Sequence, residues 1–205
     1  LLTMSMDSLR LDKLRQAWKN LCLPLDCQPL LAAYAGPERG YHNLEHLEEV
    51  LDWVAHLPLD PSRRRLLSIA LFYHDVVYST RRSDNERCSA DRAQRDLAQH
   101  LSSTELDEVV ALILDTTHGR PPHNELGAWM VDVDLAVLGS PWERFERYHQ
   151  GVRREYSWVP WFLYRSKRRQ VLKQFLQRSR IYLSDFFYSR LERRARENLN
   201  RALQR

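Results

Sequence analysis

Residues 63–78, Arg-Arg-Arg-Leu-Leu-Ser-Ile-Ala-Leu-Phe-Tyr-His-Asp-Val-Val-Tyr, decide the fold of this chain. The second half of the stretch is strongly apolar, which predicts a central helix buried among others. It also holds His74 and Asp75 side by side. Polar groups in such a place are costly unless they find partners. A divalent ion removes the cost, because neutral imidazole and carboxylate both ligate one. A hydrogen-bonded His–Asp pair closing the core is the plainer alternative.

Outward from this segment the apolar residues recur at helical spacing. Stripes cover residues 9–21, 27–34, 43–56, 83–101, 105–117, 126–138, 142–156, 158–178 and 184–203. Ser102 and Glu105 form a capping box, and Gly139-Ser140-Pro141 reads as a helix stop. Pro24, Gly36-Pro37, Pro58, Gly119 and Pro121-Pro122 punctuate the rest. No segment alternates like a strand. The chain of 205 residues is 43% hydrophobic and 28% charged, a globular composition, and its six Gly and nine Pro are too few for a loop-rich β protein. These patterns predict an all-α fold, a single bundle of about nine or ten helices over residues 1–205.

Charge is spread unevenly. Residues 152–205 carry 15 Lys and Arg against four Asp and Glu, whereas residues 1–151 carry 16 against 23. The basic residues alternate with apolar ones, which predicts C-terminal helices packed on a more acidic body. Nucleic-acid binding through those helices is the lesser reading, for no reading motif accompanies them. No apolar run approaches the roughly 20 residues of a membrane span, and no signal peptide is evident, so no membrane partner is expected. Three Cys lack metal-ligand spacing. Free thiols in a reducing cytoplasm are the expectation.

Three further groups carry chemistry. His42 and His46 lie four apart, on one face of the expected helix, so they can share an ion or divide metal and substrate between them. Asp132 and Asp134 sit in an apolar segment, about 200° apart on a helix, so only one can face a given ion. His118 ends the stripe over residues 105–117. Two His and two Asp suit an octahedral site for Mn, Mg, Fe or Zn with water positions left open.

The blocks Arg39-Gly40-Tyr41-His42-Asn43-Leu44-Glu45-His46, Phe72-Tyr73-His74-Asp75, Ser83-Asp84-Asn85-Glu86 and Asp132-Val133-Asp134-Leu135, in this order, resemble the HD superfamily of metal-dependent phosphohydrolases. The similarity runs on through Arg154-Glu155-Tyr156 and covers most of the chain. The block from Tyr41 to His46 also resembles the first metal block of cyclic-nucleotide phosphodiesterases. The resemblance implies an HD-type helical domain. It implies His46, His74, Asp75 and Asp134 as ligands of one divalent metal, with a second possible, and His42 as proton donor to the leaving oxygen. Glu86 and Asp132 are then candidates to hold the attacking water or a ligand His. Arg39, Arg81 and Arg82 are candidate phosphate-binding cations, and His118 a further substrate contact. The implied activity is hydrolysis of a phosphoester in a small phosphate compound such as a nucleotide. A non-catalytic, metal-stabilised module binding a nucleotide or a protein is the alternative.

Overall fold

The computed structural model describes residues 6–204. Among them are ten α-helices and no strand: α1 (Met6–Lys19), α2 (Gln28–Tyr34), α3 (Leu44–Ala55), α4 (Pro61–Tyr73), α5 (Asn85–Leu97), α6 (Ser103–Asp115), α7 (Glu125–Asp134), α8 (Trp142–Glu155), α9 (Trp161–Gln177) and α10 (Asp185–Leu203). The all-α expectation holds. A 3-10 turn, Leu135–Gly139, follows α7 directly.

Helix α4 is the central element and packs against α3, α5, α6 and α7. Asp60 caps it by accepting the amides of Ser62 and Arg63, and Pro61 pre-sets its first turn. Leu67 and every residue from Ile69 to Tyr73 are buried, as the apolar run required. The helix stops at Tyr73, not at residue 78. His74 is its C-cap, and Asp75 lies in the turn beyond. Helix α6 begins with the expected capping box between Ser102 and Glu105.

The basic C-terminal helices dock on the 3-10 turn and on each other. Buried polar side chains make the joints. Asp132 accepts the amides of Leu183 and Ser184 and the Ser184 hydroxyl. Glu192 accepts the amides of Ile181 and Tyr182, and Asn198 donates to the carbonyls of Leu138 and Ser140. Arg196 donates to the carbonyls of Leu176, Arg178 and Ser179. Several of the basic residues therefore serve packing. No helix among the described residues is long and apolar enough to cross a membrane.

Two outcomes follow. Asp132→Ala strands two backbone N–H groups at a partly buried joint and is expected to cost about 1–3 kcal/mol in urea unfolding, with helix content retained. His123 donates from Nδ1 to buried Asp115 at 2.5 Å and also meets Glu108. Burial opposes its protonation, but these carboxylates outweigh that and raise its pKa. The stability it adds is full below the ordinary His pKa of about 6.5 and is lost as pH rises through the raised value. Thermal melts should show wild type and His123→Gln converging as pH rises through that raised value.

Candidate metal centre

Three helix ends meet at one point. Asn43 caps α3 and accepts the amides of Glu45 and His46, which places His46 in the first turn. His74 and Asp75 come from the end of α4, and Asp134 is the last residue of α7. His46 Nε2 lies 3.2 Å from His74 Nε2, 3.3 Å from Asp134 Oδ1 and 3.7 Å from Asp75 Oδ2. His74 Nε2 lies 3.0 Å from Asp75 Oδ2 and 3.6 Å from Asp134 Oδ1. Both imidazoles are 1% exposed.

The donor set fits a divalent ion. His74 Nδ1 is 2.7 Å from the Leu71 carbonyl and donates to it. With Nδ1 so engaged, the ring turns Nε2 toward the other three groups. Burial opposes its protonation, but Asp75 outweighs that and raises its pKa, and loss of that proton would give an ion the Nε2 lone pair. Adjacent ligands about 2.1 Å from one ion stand roughly 3 Å apart. The observed separations are close to that. His46, His74 and Asp75 together could hold an ion, and Asp134 Oδ1 lies close enough to both imidazoles to be a candidate fourth donor. With no Cys in the set, Mn, Mg, Fe and Zn all suit it.

Both carboxylates are held ionised by the histidines around them. Burial disfavours both carboxylates, yet His74 and His42 hold Asp75 well below the usual range. Burial likewise opposes ionisation of Asp134, but hydrogen bonds from His118, His46 and His74 keep it well below as well. His118 Nε2 is 3.0 Å from Asp134 Oδ2 and steadies the carboxylate. Its φ of 54° is left-handed, which costs a non-glycine residue about 1 kcal/mol. The bond to Asp134 offsets that strain.

His42 lies outside α3, before the Asn43 cap, so the expected shared helix face is not what joins it to His46. Another device brings their rings to 6.0 Å. Gly40 and Gly151 let the loop touch α8, for a Cβ on Gly40 would lie 2.3 Å from the Gly151 carbonyl oxygen. Glu155, buried at the end of α8, then accepts the amides of Tyr41 and His42, the Tyr78 hydroxyl and His42 Nδ1 at 2.9 Å. Burial opposes protonation of His42, but Asp75 and Glu155 outweigh it and raise its pKa.

A cavity of about 590 Å³ borders this side of the centre and is lined by His42, Glu86, His118 and Asp134, with Lys167 and Arg168 from α9. A second, of about 600 Å³, borders the other side and is lined by His46, Asp134, Glu49 and Arg144.

Three expected site residues lie elsewhere in role. Arg39 is 7% exposed and donates to the carbonyls of His42, Asp75 and Val76, so it ties two blocks together instead of facing phosphate. The Arg81 guanidinium stacks 4.3 Å over the Trp158 ring and does not line the cavity. Asp132 points to residues 183–184, away from the centre, because α7 turns it to the face opposite Asp134. Arg82 lines the cavity but is committed to Asp84 by two bonds.

Sequence reasoning gave no role to Glu155, Lys167 or Arg168. A carboxylate in the last turn of a helix, following Arg153-Arg154, opposes the helix dipole and was the one signal available for Glu155. Among the aromatic residues, Trp129 and Tyr164 are buried, whereas Trp158, Trp161 and Phe162 are 48%, 58% and 70% exposed.

Purified protein should carry about one divalent ion per chain by elemental analysis. His74→Ala and Asp134→Asn should lose it, and a chelator should lower the melting temperature of wild type by several degrees. No protein-family model matches the chain, and comparison with curated proteins and with solved structures likewise gives no match.

Proposed function

We propose that this protein is a metal-dependent phosphohydrolase of the HD type acting on a small phosphate ester such as a nucleotide. The observation that supports this is the convergence of His46, His74, Asp75 and Asp134, with a protonatable His42 beside them on an open cavity. A divalent ion held by these four groups would acidify a water and polarise a phosphoryl oxygen.

The chain's own residues do the rest. His42 in its cationic form donates a proton to the leaving oxygen from Nε2, because Nδ1 is engaged by Glu155. Glu155 fixes the ring's orientation and favours the charged form. His118 holds one oxygen of Asp134 and leaves the other for the ion. Glu86 lines the cavity wall and would orient the attacking water. The three free cysteines fit work in a reducing cytoplasm.

The test is turnover of 4-nitrophenyl phosphate and bis(4-nitrophenyl) phosphate with added Mn, Mg, Fe or Zn. His42→Asn should keep the ion and lose roughly 100- to 10,000-fold in kcat. Glu155→Gln should keep the ion and lose kcat by about tenfold or more, as a positioning residue would. His74→Ala should lose both ion and turnover. If no metal restores turnover to wild type, the reading falls, and a helical module stabilised by its ion remains.

A further inference from the structure

The α9 wall of the cavity holds polar atoms that no group among the described residues satisfies. Tyr164 is 6% exposed, and its hydroxyl is buried without a hydrogen-bond partner. Arg168 Nε is buried without one as well. The Arg168 guanidinium makes a 2.7 Å bond to the Tyr148 hydroxyl and lies 5.0 Å from that ring. Tyr148, Tyr164 and Tyr156 are its main electrostatic neighbours, and Glu146 shares a second, smaller cavity with it. Lys167 lines the same cavity. Helix α9 contains no Asp or Glu in its 17 residues, against five Lys and Arg.

A half-buried guanidinium whose shielded Nε lacks a partner, beside a buried hydroxyl that lacks one too, is an unfavourable arrangement unless an anion completes it. The planar donors of Arg match phosphate and carboxylate oxygens, and a tyrosine hydroxyl beside them adds a donor. Distance from the centre is modest. Ring contacts of 4.7 Å from His46 to Tyr41 and 4.6 Å from Tyr41 to Tyr148 lead to the ring beside Arg168. Tyr164 and Arg168 also border a cavity of about 210 Å³, but Lys167 and Tyr148 line only the larger one.

We infer that Tyr164, Arg168 and Lys167 form an anion subsite that binds a second negatively charged group of the substrate, a phosphate or a carboxylate, away from the group being hydrolysed. The substrate class is then a phosphoester carrying two separated anionic groups. The reaction part of this inference rests on the phosphohydrolase reading, and the anion binding does not.

Two measurements on the full chain separate them. The first is calorimetric titration with inorganic sulfate, a weak ligand for divalent ions. Wild type should bind it in the millimolar range, and Arg168→Gln should weaken binding at least tenfold. Tyr164→Phe should also weaken it while leaving the melting temperature unchanged, since the deleted hydroxyl bonds nothing in the protein. Sulfate binding that is absent, or equal in wild type and both variants, overturns the subsite. The second is the ratio of kcat/KM for an alkyl bisphosphate over the matching alkyl monophosphate. Wild type should favour the bisphosphate at least tenfold, and Arg168→Gln should cut that ratio tenfold, mainly through KM, with Arg168→Lys recovering part. A wild-type ratio near one, or equal losses on both esters, refutes the substrate class. Absence of turnover on both esters refutes the hydrolase reading and the substrate class, and the sulfate titration still decides the subsite.

Discussion

Asp75 and Asp134 place two carboxylates against two imidazoles that are almost wholly shielded from water. Burying such charges costs several kcal/mol per group unless something positive lies between them. The surrounding fold keeps the four groups together nonetheless. Asn43 starts α3 at the residue that sets His46, α4 ends where His74 caps it, and α7 ends on Asp134. The Leu71 carbonyl accepts a hydrogen bond from His74 Nδ1, which removes the rotational choice that ring would otherwise have. Donor atoms gathered at this spacing, with their tautomer fixed, are what a divalent ion requires.

Glu155 organises the neighbouring half of the site. One carboxylate gathers two amides, a tyrosine hydroxyl and His42. The four groups satisfy the buried charge, and in return the loop carrying His42 has one conformation. The close approach of Gly40 and Gly151 is the steric condition for that knot, because any side chain there would hold the loop off α8. Arg39 extends it by binding carbonyls on both the His42 and the Asp75 segments. The catalytic candidates and the metal candidates are thus positioned by one continuous network, with α8 and α9 closing the cavity over it.

The sequence by itself determined the helical class, and its resemblance to a known family singled out the four side chains that the fold brings together. Apolar spacing at 3.6 residues and an apolar run ending in His-Asp are local facts, and burial of residues 69–73 follows from them. The 200° between Asp132 and Asp134 already required them to part, though not which way each would point. Tertiary structure decided the rest. Helix ends depend on which carbonyls and amides a neighbour satisfies, so α4 stopped five residues before its apolar pattern did. Arg39 and Arg81 looked like phosphate cations because charge is visible in sequence, whereas their carbonyl and aromatic partners come from distant segments. Glu155, Tyr164 and Arg168 gained their places through contacts more than a hundred residues away, or through a lack of contacts, and no local pattern encodes either.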